Sequence, residues 1–168
     1  MGWKSVKLAN KRRPAGSWRQ FRCQGEAIVH VKGLRQRREA VFAFLRGCAI
    51  ADDYGLDWGV RLEREPSNPY DRNAIKVIGH WIDRRKPWFR PAILTPKQAH
   101  IGYVEREFAA AIAKLGPIPI TAEIYEIAVA DDAIKRDDVM GVIIKIILLI
   151  PTARDPIWRE PGVGRYDG

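Results

Sequence analysis

Along this chain apolar residues mostly alternate with polar ones, which predicts strands more often than helices. Glu26 to Gly33 alternates and carries β-branched residues, as a half-buried strand requires. Trp58, Val60 and Leu62 fall on one face, with Gly59, Arg61 and Glu63 on the other, so Trp58 to Arg64 reads as a second strand. Ala74 to His80 is a third. Ile118 to Val129 and Val139 to Ile150 are two long ones, with the polar Asp131 to Asp138 connection as a hairpin loop. Two segments repeat at helical spacing instead. In Arg37 to Arg46, Ala40, Val41, Phe44 and Leu45 share a face, and Gly47 is the candidate C-cap. Ala49 to Asp57 then reads as a loop with room for a short strand. In Glu105 to Leu115, Phe108, Ala111, Ile112 and Leu115 line one side. About six strands and two helices with short connections predict a mainly β fold, a small barrel with appended helices rather than a doubly wound sheet.

Charge refines the domain boundaries. The chain has 168 residues, one domain's length, with 29 Lys and Arg against 20 Asp and Glu. Residues 1 to 25 contain seven of those cations and no acid, so residues 26 to 168 hold 22 against 20. The excess therefore sits in a flexible N-terminal arm, broken by Pro14-Ala15-Gly16, with Trp3, Trp18 and Phe21 among its cations. Such an arm adds phosphate affinity without sequence preference, or else solubilises the chain. The folded body runs from 26 to 150, and 151 to 168 is a tail. Within the body, 80 to 97 stands apart as a basic-aromatic insertion. Arg84, Arg85, Lys86 and Arg90 surround Trp88 and Phe89, between Pro87, Pro91 and Pro96. Its aromatics either cap an edge of the core or touch nucleic acid.

Several chemistries lack their residues. Cys23 and Cys48 form no disulfide framework, and His30, His80 and His100 have no metal-ligand spacing. No cofactor or metal is expected. No phosphate-binding glycine loop or nucleophile motif occurs, which argues against an enzyme. Glu63, Glu65 and Asp71 could suggest a metal-dependent nuclease, but the plainer expectation is that Asp71 caps a turn and Glu63 pairs with an arginine. No secretory leader is evident, and the apolar run Val142 to Ile150 is too short to span a bilayer, so a cytoplasmic location without a membrane partner is expected.

The most specific stretch is Glu65-Pro66-Ser67-Asn68-Pro69-Tyr70-Asp71-Arg72-Asn73-Ala74-Ile75-Lys76-Val77. Asn68-Pro69 opens a turn, and Asp71 and Asn73 can tighten it through the local backbone. Tyr70 and Asp71 then stand side by side on a stiff corner. A ring beside an acceptor suits a nucleoside, which offers a plane to stack on and a hydroxyl proton to donate.

This stretch resembles the signature of HIRAN domains. His100-Ile101-Gly102-Tyr103-Val104 before a helix and Val29 to Arg35 ending at Gly33 resemble the flanking blocks, so the likeness runs from about Ala27 to about Ile150. The resemblance implies an OB-like β-barrel that binds single-stranded DNA without catalysis, prefers a 3′-hydroxyl end, and serves repair or replication restart beside a helicase or nuclease. It implies that Tyr70 and Asp71 line the end pocket, that Arg35 contacts the strand, and that Tyr103 and Arg106 stack and meet a phosphate. The aromatic that follows the arginine in the family is Gln36 here. The missing stacking surface is then expected from Trp88 or Phe89, with Arg84 and Arg85 beside them. The alternative is a protein-interaction or RNA-binding adaptor without end selection.

Overall fold

A computed structural model describes residues 3–6, 17–130, 133–136 and 138–152, the backbone alone for 3–6, 134 and 135. Its strands are β1 (Trp3–Val6), β2 (Trp18–Gln20), β3 (Ile28–His30), β4 (Trp58–Arg64), β5 (Ile75–Arg85), β6 (Ile93–Tyr103), β7 (Thr121–Ala130) and β8 (Val142–Pro151). Its α-helices are α1 (Arg38–Asp53), α2 (Arg106–Ala113) and the single turn α3 (Ala133–Arg136), the last inside the connection expected to be a plain hairpin loop.

The fold is mainly β, as expected, but no closed barrel forms among the described residues. Five strands make one sheet in the order β1-β7-β8-β2, with β3 also on β8, and β4-β5-β6 make a second. An isolated bridge links the two sheets, where Lys32 and Tyr103 exchange two backbone hydrogen bonds of 2.8 Å, and β4 also packs against β7. Gly102 permits this approach, because a Cβ there would strike the Lys32 carbonyl. β8 is central to its sheet and nearly uninterrupted in apolar residues, with Ile144, Ile146, Leu148 and Leu149 essentially inaccessible.

Three boundaries differ from the sequence expectation. α1 does not stop at Gly47 but runs through Ala49 to Asp53. Gly47 is a packing notch: the Trp81 indole lies where its Cβ would be, and Phe44 lies likewise over Gly79. The helix ends instead at Tyr54, and Gly55 turns the chain with φ +63°. The 80–97 segment is mostly ladder rather than loop, pairing from His80↔Gln98 out to Arg85↔Ile93 around a short connection. Its cations and prolines mask the alternation that marks a strand. The segment read as an arm supplies two strands: β1 pairs with β7, and β2 pairs with β8 from Trp18↔Pro151 to Gln20↔Leu149. Phe21 follows β2 into the core, 6.4 Å edge-on from Phe108. Residues 1, 2 and 7–16 of that arm, with Lys7, Lys11, Arg12 and Arg13, and the tail beyond Thr152 lie outside the described residues.

Candidate nucleic-acid interface

The corner between β4 and β5 is built by Asn68. Its Oδ1 accepts from the Tyr70 and Asp71 amides at 3.0 and 3.1 Å, and its Nδ2 donates to Glu65 Oε2 at 2.8 Å. Asp71 Oδ1 accepts from the Asn73 amide at 2.9 Å and its carbonyl from Ala74 N, which closes the turn into β5. This is the Asx chemistry that Asn-Pro and Asp-x-Asn foretell. The rigid corner leaves the Tyr70 ring 88% exposed while Asp71 is half-buried.

Behind the corner, Glu65 gathers the neighbouring strands. It accepts from the Tyr103 hydroxyl at 2.8 Å and pairs with Lys76 Nζ at 2.7 Å. These bonds, Lys76 foremost and then Asn68 and Tyr103, hold its carboxyl down to about 2. Partial burial and the hydrogen bond to Glu65 raise the Tyr103 phenol above its ordinary value. A register shift in the β5–β6 ladder makes this gathering possible. Val77 pairs with Gly102 and Ile78 with His100, so Ile101 is the extra residue. His100 and Tyr103, three apart in sequence, then share a face with their rings edge-on at 4.8 Å. Burial and the nearby Arg37 lower the His100 pKa, which keeps its ring neutral at neutral pH.

A cavity of about 350 Å³ opens beside the corner, lined by Lys32, Asn68, Tyr70, Asp71, Tyr103 and Arg106 among others. Arg106, the first residue of α2, reaches across to the motif. It donates to the Tyr70 carbonyl at 3.0 Å, and its Nε lies 3.4 Å from Asp71 Oδ2. The site therefore offers an exposed ring, a carboxylate and a guanidinium in one opening.

Residues 40–116 match the family model of the HIRAN domain. That segment is similar to a HIRAN domain. The match begins in α1 and ends just past α2, so it takes in the Asn68 corner, the two-stranded ribbon of β5 and β6, and Arg106. It is shorter than the resemblance from Ala27 to Ile150, and β1–β3, β7 and β8 lie outside it. HIRAN domains are nucleic-acid-binding modules. No curated protein and no solved structure matches it.

Within the matched segment and its surroundings, four of the expected site residues converge: Tyr70, Asp71, Tyr103 and Arg106. Tyr103 is more an anchor than a platform, because its hydroxyl is bound by Glu65 and the Arg37 guanidinium lies 4.7 Å from its ring centre. Arg35 lies elsewhere. It is exposed on a short 3-10 turn, Arg35–Arg37, and lines a neighbouring cavity of about 650 Å³ with Arg37, Arg38 and Arg46. The arginine of that turn that meets Tyr103 is Arg37, whose Nη2 donates to the Tyr103 hydroxyl at 3.2 Å. Sequence reasoning passed over it because it stands at the start of the predicted helix, where a cation is ordinarily solvated. Glu65 and Lys76, read as turn and strand residues, were the other omissions.

The ribbon residues form a separate group. Trp88 and Phe89 are 93% and 69% exposed, so they cap no part of the core. Arg84 stacks 4.0 Å above the Tyr54 ring and Arg85 pairs with Asp83 at 3.4 Å. They sit at the far end of β5 from the corner. Ten residue steps at about 3.3 Å place the two ends of β5 roughly 33 Å apart. Neither Trp88 nor Phe89 can supply the stacking surface that Gln36 lacks beside Tyr70. The three carboxylates of the nuclease idea are also apart in role: Glu63 lies 3.7 Å from Arg61, Glu65 serves Lys76 and Tyr103, and Asp71 meets Arg106. Among the described residues no group of His, Cys, Asp and Glu could hold a metal ion, and no helix is long and apolar enough to cross a membrane.

Proposed function

We propose that the cavity at the Asn68 corner binds the 3′ end of a single DNA strand, with no catalytic step. The observation that carries this is the juxtaposition of an exposed Tyr70 ring, the Asp71 carboxylate and the Arg106 guanidinium in one opening. The terminal nucleoside stacks on Tyr70, which costs no sequence specificity. Its 3′-hydroxyl donates to Asp71, and Arg106 takes the adjoining phosphate. An internal nucleotide brings a phosphate diester to the same place. It lacks the donor and carries charge of the carboxylate's own sign, so continuous backbone is disfavoured. Such a protein fits work inside the cell in repair or replication restart, delivering or guarding a strand end for a helicase or nuclease.

Fluorescence anisotropy with a short strand ending in a 3′-hydroxyl or a 3′-phosphate tests this. The hydroxyl strand binds more tightly, and Asp71→Ala removes the difference, a loss of about 1.5–3 kcal/mol for a charge-assisted hydrogen bond. Equal affinity for both ends in the unaltered protein rejects end binding. It favours the second reading, an RNA-binding or protein-interaction adaptor, which Gln36 at the family's aromatic position supports.

A further inference from the structure

We propose that the far end of the β5–β6 ribbon is a second nucleic-acid contact that stacks on a duplex end, so that this protein recognises a duplex carrying a 3′ tail. The tail runs along the ribbon to the Tyr70–Asp71 cavity, and the inference rests on the end-binding reading above.

Beyond Ile82, whose amide bonds to Asp57 O, β5 leaves β4 behind and has only β6 beside it. The ribbon end is thus two strands thick. It displays Trp88, Phe89, Ile93 and Leu94, four of the nine exposed large apolar residues among those described. A concentration of this kind on one projection marks a contact surface. Its charge selects the partner. From Arg84 to Val104 the chain has no acid, while Arg84, Arg85, Lys86, Arg90 and Lys97 flank the apolar tip. Cations around an apolar wedge match a polymer with stacked bases inside and phosphates outside.

The wedge is held stiffly. The Arg90 amide bonds to the Pro87 carbonyl at 3.3 Å, and two prolines, Pro87 and Pro91, restrict the connection. Arg84 stacked on Tyr54 ties the ribbon to the end of α1. Trp88 and Phe89 stand nearly perpendicular, at 85° and 6.0 Å. Two crossed rings do not offer parallel platforms for consecutive bases of a single strand. They offer one plane braced by the other, which suits the flat face of a terminal base pair. The ribbon's length of about 33 Å corresponds to roughly ten nucleotides at the stacked spacing of 3.4 Å.

Anisotropy with three labelled DNAs tests the idea: a duplex with a ten-nucleotide 3′ tail, the same duplex with a 5′ tail, and the ten-nucleotide strand alone. The 3′-tailed duplex is expected to bind between about fivefold and 150-fold tighter than the free strand, the range of one base-aromatic stack, and tighter than the 5′-tailed duplex, which offers no 3′ tail to the cavity. The double variant Trp88→Ala/Phe89→Ala is expected to lose that gain. It keeps its melting temperature and its preference for a 3′-hydroxyl over a 3′-phosphate on a four-nucleotide strand too short to reach the ribbon. Equal binding of the tailed duplex and the free strand, or a gain that survives the double substitution, overturns the proposal. If 3′-hydroxyl preference holds while the duplex adds nothing, the ribbon inference alone fails; if no DNA binds, both readings fail. Co-sedimentation with phosphatidylserine vesicles, lost in the double variant and unaccompanied by a duplex gain, would assign the ribbon to a membrane surface instead.

Discussion

Glu65 is the residue on which the corner depends, although it touches the cavity only through others. Its carboxylate receives Asn68, Tyr103 and Lys76, so it ties the turn to both strands of the hairpin. Its pKa is about 2 against an ordinary 4.5. A carboxyl lowered on folding contributes stability that is present above the ordinary value and is lost as pH falls toward the folded one. Glu65→Gln should therefore melt below the unaltered protein at neutral pH, and the gap should narrow between about pH 4.5 and pH 2. Melting curves taken across that window check it. A gap independent of pH would mean that the carboxylate's charge plays no part. At the other extreme, the raised Tyr103 phenol adds stability that is complete below its ordinary value near 10 and fades as pH rises through the higher folded value.

Among the elements, β2 changes most between the sequence expectation and the structure. As part of a flexible arm, residues 1 to 22 could be removed without harm to the body. As built, they include β1 on β7, β2 on β8, and Phe21, whose amide bonds to the Leu148 carbonyl at 2.8 Å and whose ring is buried against Phe108. Losing a buried phenylalanine costs about 3 kcal/mol or more, which in a domain of this size lowers the melting temperature by about 10 °C. Thermal denaturation of the chain lacking residues 1 to 22 measures this, and an unchanged melting temperature would mean that these pairings contribute nothing. The ribbon is the opposite case: its aromatics are exposed, so their removal should leave melting untouched.

For the molecule as a whole, the distribution of charge governs how binding responds to salt. Lys11, Arg12 and Arg13 lie outside the described residues, yet they belong to a segment with no acid. If they meet phosphates, replacing all three by alanine lowers the slope of log affinity against log salt by about 2, at roughly 0.7 per single-strand contact. Affinity for 3′-hydroxyl and 3′-phosphate strands should fall alike, because these cations read backbone rather than ends. Titrations at several salt concentrations test this without removing β1 or β2. An unchanged slope would leave DNA contact to the folded body.

The local sequence determined what depends on near neighbours. β4 was legible to the residue because its alternation is uninterrupted, and the Asn68 corner because Asn, Pro and Asp fold their own backbone. The pairing of Tyr70 with Asp71 follows from that corner alone. Tertiary structure decided whatever depends on residues distant in sequence. Gly47 reads as a helix stop until Trp81 arrives to fill its notch, 34 residues later in the chain. Trp18 to Phe21 reads as an arm until β8 offers an edge to pair with. Arg37, not Arg35, meets Tyr103 because the Lys32–Tyr103 bridge and the extra residue Ile101 bring Tyr103 to it. The separation of Trp88 from Tyr70 was set by a ladder that cations and prolines hid from the alternation. A strand's period is written in its own residues, whereas register and close approach are properties of pairs, and neither member of a pair carries them alone.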